Sequence, residues 1–158
     1  MYENGFVCDA PLKAKLRERI KDEWFSAYTV DFGWECFEDN AKMDIVFTAT
    51  SKSNREYKYA IEVKERKGYT AEQLQDGYML EEKKYNTLCD YASSGYSTYY
   101  FNSFKDGIFY LWKNDEKMRN SRRGKVKAKK YTQKESNEVW KDCLLLDNKD
   151  IVFSGYCG

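Results

Sequence analysis

Histidine is missing from this chain altogether. Without an imidazole there is no Ser-His-Asp triad, no Cys-His dyad, no histidine-held zinc and no histidine general base. Hydrolytic chemistry, if any, must come from carboxylates, lysine, tyrosine or a metal held by oxygen ligands. Cysteine offers no zinc site of the usual spacing either. Cys8, Cys36, Cys89, Cys143 and Cys157 are odd in number, scattered, and form no Cys-x-x-Cys pair. They read as free thiols, buried or half-buried. Long apolar runs are also lacking: none approaches the ~20 residues of a membrane span, so no membrane partner is expected. The opening Met1-Tyr2-Glu3-Asn4-Gly5 has neither the basic flank nor the apolar run of a signal peptide, and the expected compartment is cytoplasmic.

What is present fits one domain of 158 residues, with 42% hydrophobic residues for a core and 34% charged ones for a surface. The formal net charge of +1 hides a segregation. Residues 117–134 carry nine basic side chains and no acidic one, including Arg119, Arg122, Arg123, Lys125, Lys127, Lys129 and Lys130. The remainder holds 18 basic and 26 acidic residues, a net of −8. A basic segment on an acidic body suggests a polyanion contact; a solvated or disordered loop is the other reading.

Hydrophobic spacing lays out the elements. Leu12, Leu16, Ile20 and Trp24 repeat every four residues and predict an amphipathic helix over 12–27, with Pro11 in its first turn. Strands are expected over 28–37, 43–50 and 56–64. Thr70-Ala71-Glu72-Gln73 matches a capping box and predicts a second helix from about Thr70, with the stripe Leu74, Tyr78, Glu81, Tyr85, Leu88, Ala92. Strands near 96–104 and 108–113 follow, joined by Lys105-Asp106-Gly107, where Asp-Gly is a hairpin signal. Thr132-Gln133-Lys134-Glu135 is another capping box and predicts a C-terminal helix over about 133–146, followed by a short strand at Ile151-Val152-Phe153. This order implies an α/β fold, a mixed central sheet flanked by helices. Trp112 and Trp140 are expected in the core. Tyr96, Tyr99, Tyr100 and Phe101 suit base stacking or, more simply, strand packing.

Five Glu-x-Lys tripeptides occur, beginning at Glu56, Glu62, Glu65, Glu81 and Glu82. Only Glu62-Val63-Lys64 closes an apolar strand, directly after Tyr59-Ala60-Ile61. Period-two alternation puts Glu62 and Lys64 on one face. Asp44 lies in the preceding strand, between Met43 and Ile45, and comes near Glu62 if the two strands form a hairpin. Two carboxylates so placed repel unless protons or a cation intervene. Magnesium suits two carboxylates and a backbone carbonyl, because it takes oxygen ligands and keeps several waters.

Asp44 and Glu62-Val63-Lys64, within a helix–three-strand–helix–strand order, resemble the PD-(D/E)XK nuclease superfamily over roughly residues 12–113. The resemblance implies a restriction-endonuclease-like core (α-β-β-β-α-β-β) and Mg2+-dependent phosphodiester hydrolysis, with Mn2+ as a possible substitute. It implies that Asp44, Glu62 and the Val63 carbonyl bind the metal and that Lys64 is the catalytic lysine. Met43 stands where the family pattern has proline. Many members add a glutamate from the first helix; Glu23 is the first choice here and Glu18 the second, against the simpler reading of exposed helix residues. Glu81 and Lys84 are further candidates near the site, with an ordinary ion pair at the core's edge as the alternative for Glu81. Gln75 and Tyr85 are candidate substrate contacts. The implied partner is nucleic acid, DNA first, held by the basic segment, and a homodimer is compatible with it. An inactive nucleic-acid-binding or structural module on the same fold is the alternative function, and an unrelated α/β interaction protein is a third.

Overall fold

A computed structural model describes residues 5–73, 77–129 and 138–158, with side chains for 11–73, 77–127 and 138–158. The first helix, α1 (Gly5–Arg19), begins earlier than its apolar stripe, so Pro11 lies inside it rather than in the first turn. It runs on into a π-turn at Ile20–Trp24, closed by the Phe25 N–H donating to the Ile20 carbonyl at 2.8 Å. A four-residue repeat outruns the ~3.6 residues of an α-turn, and the wider turn returns Trp24 to the apolar face. Leu12, Leu16 and Ile20 are buried there as expected.

Strand β1 (Thr29–Phe32) is shorter than the expected 28–37, because Trp34–Phe37 forms a 3-10 turn. Strands β2 (Ile45–Thr50) and β3 (Glu56–Arg66) make the anticipated antiparallel hairpin, turning through Asn54 at φ 62°. The predicted helix from Thr70 is corrected. Ala71–Gln73 is a single 3-10 turn, β4 (Tyr78–Glu81) follows, and α2 (Glu82–Ser93) starts only then. The capping glutamine is still used: its Oε1 accepts the Thr70 N–H at 2.7 Å, but it closes one turn instead of opening a helix.

Strands β5 (Ser97–Phe104) and β6 (Ile108–Lys113) form the second predicted hairpin, with Gly107 at φ +85° supplying the left-handed residue of the turn. A short α3 (Glu116–Arg119) is capped by Asp115, which accepts the Met118 N–H at 3.1 Å. The basic segment continues as a strand, β7 (Arg122–Lys129). The C-terminal helix is the second correction: Glu138–Leu146 is strand β8, while 133–137 lies outside the described residues. Strand β9 (Ile151–Tyr156) closes the chain's secondary structure.

The protein is mixed α/β, and its described residues form two sheets. The larger has order β1-β2-β3-β5-β6-β9, antiparallel except for β3 beside β5; the smaller is β4-β8-β7, antiparallel throughout. Alternation sorts the large sheet's residues. Ile45, Phe47, Val63, Phe101 and Phe109 pack with α1 on one face. Val46, Ala60, Tyr100, Phe104 and Trp112 form the other, under Leu88 of α2 and Tyr78, Leu80, Leu144 and Leu146 of the small sheet. Among the described residues no helix is long and apolar enough to cross a membrane.

Candidate functional site

The hairpin register decides where the acidic residues meet. Ile45 pairs with Ile61 at the last backbone rung of β2–β3. Asp44 is therefore in the bend just before β2, not inside the strand, and lies opposite Glu62. Its carboxylate takes the place of the next rung: Oδ2 accepts the Val63 N–H at 2.8 Å. In an extended strand the N–H and C=O of one residue face the same side. The Val63 carbonyl thus faces the Asp44 side too.

Glu62 projects from the opposite parity, toward α2, and is 5% exposed. Burial first, then the Asp44 charge, push its carboxyl up to about 8; the Lys84 charge pulls the other way, and a hydrogen bond to the Asp44 carboxyl adds to the rise. Lys84, in the first turn of α2, brings Nζ to 3.0 Å from Glu62 Oε2. Desolvation lowers the Lys84 ammonium's pKa, but the Glu62 charge and hydrogen bond outweigh it and the net shift is upward. Lys64 shares the Glu62 face by parity and is exposed.

Sequence reasoning missed Lys13. This lysine of α1 is only 5% exposed, stands 3.5 Å from Asp44 Oδ1 and donates to the Glu38 carbonyl at 3.1 Å. Its signal was available: Lys13 precedes Leu16 by three and Ile20 by seven, which puts a cation on the apolar stripe. So α1 sends a lysine to the acidic pair, not the expected glutamate. Glu23 instead holds Arg19 at 3.1 Å, and that guanidinium donates to the Tyr156 carbonyl on β9, at the far edge of the sheet from β1. Glu18 is exposed. Also missed was Glu35, buried in the 3-10 turn and accepting the Tyr91 hydroxyl of α2 at 2.9 Å.

Glu81 ends β4 and pairs with Lys141 of β8 at 3.2 Å, the ordinary ion-pair reading, although its charge still contributes to Lys84. Tyr85 lies under the Arg123 guanidinium, 5.9 Å from ring centroid to carbon. Tyr100 and Phe101 are buried, the first donating to the Met79 carbonyl at 2.9 Å and the second stacked on Phe109; both pack rather than receive bases. Tyr99 tilts against Tyr59, and Tyr96 meets Tyr91 edge-on. Trp112 is core as expected, but Trp140 is 67% exposed, which corrects its placement. Arg119, Arg122, Arg123, Lys125 and Lys127 are exposed; Lys129 belongs to β7 by its backbone, and Gln75 and Lys130 lie outside the described residues.

The donor set fits a hard divalent cation. Two carboxyl groups converge, one of them held protonated by its burial and then by its neighbour's charge, and a backbone carbonyl faces the same side. Among the described residues no third acidic or thiol side chain joins them, so water must complete any coordination shell. No protein-family model, curated protein or solved structure matches the chain.

Proposed function

We propose that the protein is a metal-dependent nuclease that hydrolyses phosphodiester bonds in nucleic acid, DNA first, in the manner of the PD-(D/E)XK superfamily that the motif resembles. The observation that carries this reading is the convergence of Asp44 and Glu62 on one face at the open end of β2–β3, with Val63 between them. Asp44, Glu62 and the Val63 carbonyl would hold Mg2+, or Mn2+ in its place. When bound, the cation lowers the pKa of a water and offsets charge on the phosphate. To join such a site Glu62 would have to give up its proton, so metal binding would release acid. Lys13 keeps Asp44 in place from the α1 side. Lys64 and Lys84 bring ammonium groups to the substrate side, where they orient the attacking water and neutralise charge that develops on the phosphoryl oxygens.

A second reading, a nucleic-acid-binding module without turnover, draws on one observation. Each carboxyl group already faces an ammonium, Asp44 that of Lys13 and Glu62 that of Lys84, so both have a partner without a metal. One experiment separates the two. Linear, circular and branched DNA, and RNA, are incubated with the protein in Mg2+, Mn2+ or EDTA, beside Asp44→Ala and Lys64→Ala. Cleavage that needs metal and is lost in both variants supports the nuclease. Cleavage that survives both removes these residues from the chemistry. Binding without cleavage in either metal selects the second reading.

A further inference from the structure

The small sheet changes character along its length. On β8, residues 140, 142, 144 and 146 share a face. Leu144 and Leu146 are fully buried against the large sheet, but Asp142 and Trp140, farther out on the same face, are exposed. The β7–β8 ribbon therefore leaves the core between Leu144 and Asp142 and continues as an arm. Among the described residues that face is open to solvent beyond Leu144, yet it carries an indole.

The residues across the ladder are basic. Trp140 pairs with Lys127 and Asp142 with Lys125. Directly opposed side chains have Cβ atoms about 5 Å apart, so Lys127 and Trp140 are neighbours on one face of the ribbon. Lys125 is tied to Asp142 at 3.3 Å, with both side chains well exposed. Nearer the body, Arg123 donates to the Ser121 and Arg119 carbonyls, which fixes the base of the arm to α3. Strand β7 as described bears Arg122, Arg123, Lys125, Lys127 and Lys129 and no acidic residue.

We infer that Trp140 and Lys127 form a stacking platform for single-stranded nucleic acid. Cations alone would serve a duplex, whose bases are covered by their neighbours. An exposed indole beside an ammonium offers what an unstacked strand needs: a π-face for one base and a charge for the adjoining phosphate. The density of positive charge on β7 favours a polyanion over a protein partner or a second copy of the chain. The inference rests on the nucleic-acid part of the proposed function and not on turnover.

The test is binding in EDTA, where no metal-dependent cleavage intervenes. Fluorescence anisotropy is recorded with a labelled 12-nucleotide single strand, its duplex and inorganic polyphosphate, for wild type, Trp140→Ala, Trp140→Phe and Lys127→Ala. Circular dichroism confirms that each variant is folded. Wild type should prefer the single strand. Trp140→Ala should weaken that complex by about 10-fold or more, the value of one stacked base, and Trp140→Phe should restore part of it. Neither change should move duplex or polyphosphate binding. Lys127→Ala should weaken all three ligands and lower the salt slope by about one. Equal affinity of wild type and Trp140→Ala for the single strand overturns the inference, as does a wild-type preference for duplex, or a dimer that dissociates on Trp140→Ala. Cleavage failing in Mg2+ while the Trp140 effect persists would remove the nuclease reading alone.

Discussion

The large sheet sinks the charges of its candidate site, and the small sheet displays its own. Asp44, Glu62 and Lys13 are buried or nearly so, each within reach of an opposite charge. Lys125 and Lys127 stand on a ribbon open to solvent on their own face. The difference lies in what each environment makes expensive. Inside, an uncompensated charge is costly, so groups are matched and their protonation is shifted. Outside, water solvates every charge, and a residue can be kept for a partner at almost no cost in stability. Chemistry that depends on altered pKa values belongs to the first setting, and attraction of a polyanion to the second.

That contrast can be broken in several ways, and the largest effect should be on turnover. Asp44→Ala or Glu62→Ala should reduce metal-dependent cleavage more than about a thousand-fold, while Lys127→Ala at saturating substrate should leave the rate nearly intact. Initial rates on one DNA substrate compare them. Stability comes next. Trp112→Ala empties a fully buried site between the sheets and should cost about 3–5 kcal/mol, against no more than about 0.5 kcal/mol for exposed Trp140→Ala; urea denaturation followed by circular dichroism reads both. Lys13→Met removes the ammonium beside Asp44 and should cost about 1–3 kcal/mol, whereas Lys125→Ala breaks an exposed ion pair and should fall within about 0.5 kcal/mol.

The last effect concerns pH. The folded chain holds a proton on Glu62 up to about 8, against an ordinary 4.5. Between those values the folded state binds the extra proton, so its contribution is complete below the lower value and is lost as pH rises through the upper one. The metal-free protein should therefore lose a few kcal/mol between pH 5 and pH 8, at up to about 1.4 kcal/mol per pH unit. Glu62→Gln should flatten that slope in melting temperatures taken across the window.

Much of the large sheet was legible because its information is local. The Asp-Gly turn set β5–β6, and parity with the β2–β3 hairpin set Asp44 opposite Glu62. The small sheet was not legible, and its two errors are one. Residues 78–81 and 138–146 both read as helix, and they are β4 and β8, paired with each other from Tyr78–Leu146 to Glu81–Cys143, far apart along the chain. Short apolar runs such as Leu144-Leu145-Leu146 fit either period, and only the distant strand decides. Trp140 was misplaced for the same reason: without the strand there was no ribbon, and without the ribbon no arm for the indole to leave the core on. Lys13 is different. Its place on the apolar stripe could be read, but its carboxylate partner could not.

Asp44 standing in for a ladder rung at Val63 makes the backbone itself a witness of assembly. The Val63 amide is sheltered from solvent exchange by a side chain, so its deuterium uptake reports whether the acidic residue is in position, with no substrate or metal needed. In Asp44→Ala that single amide should exchange as an open edge does, while Ile61, two residues back on the intact ladder, keeps its protection.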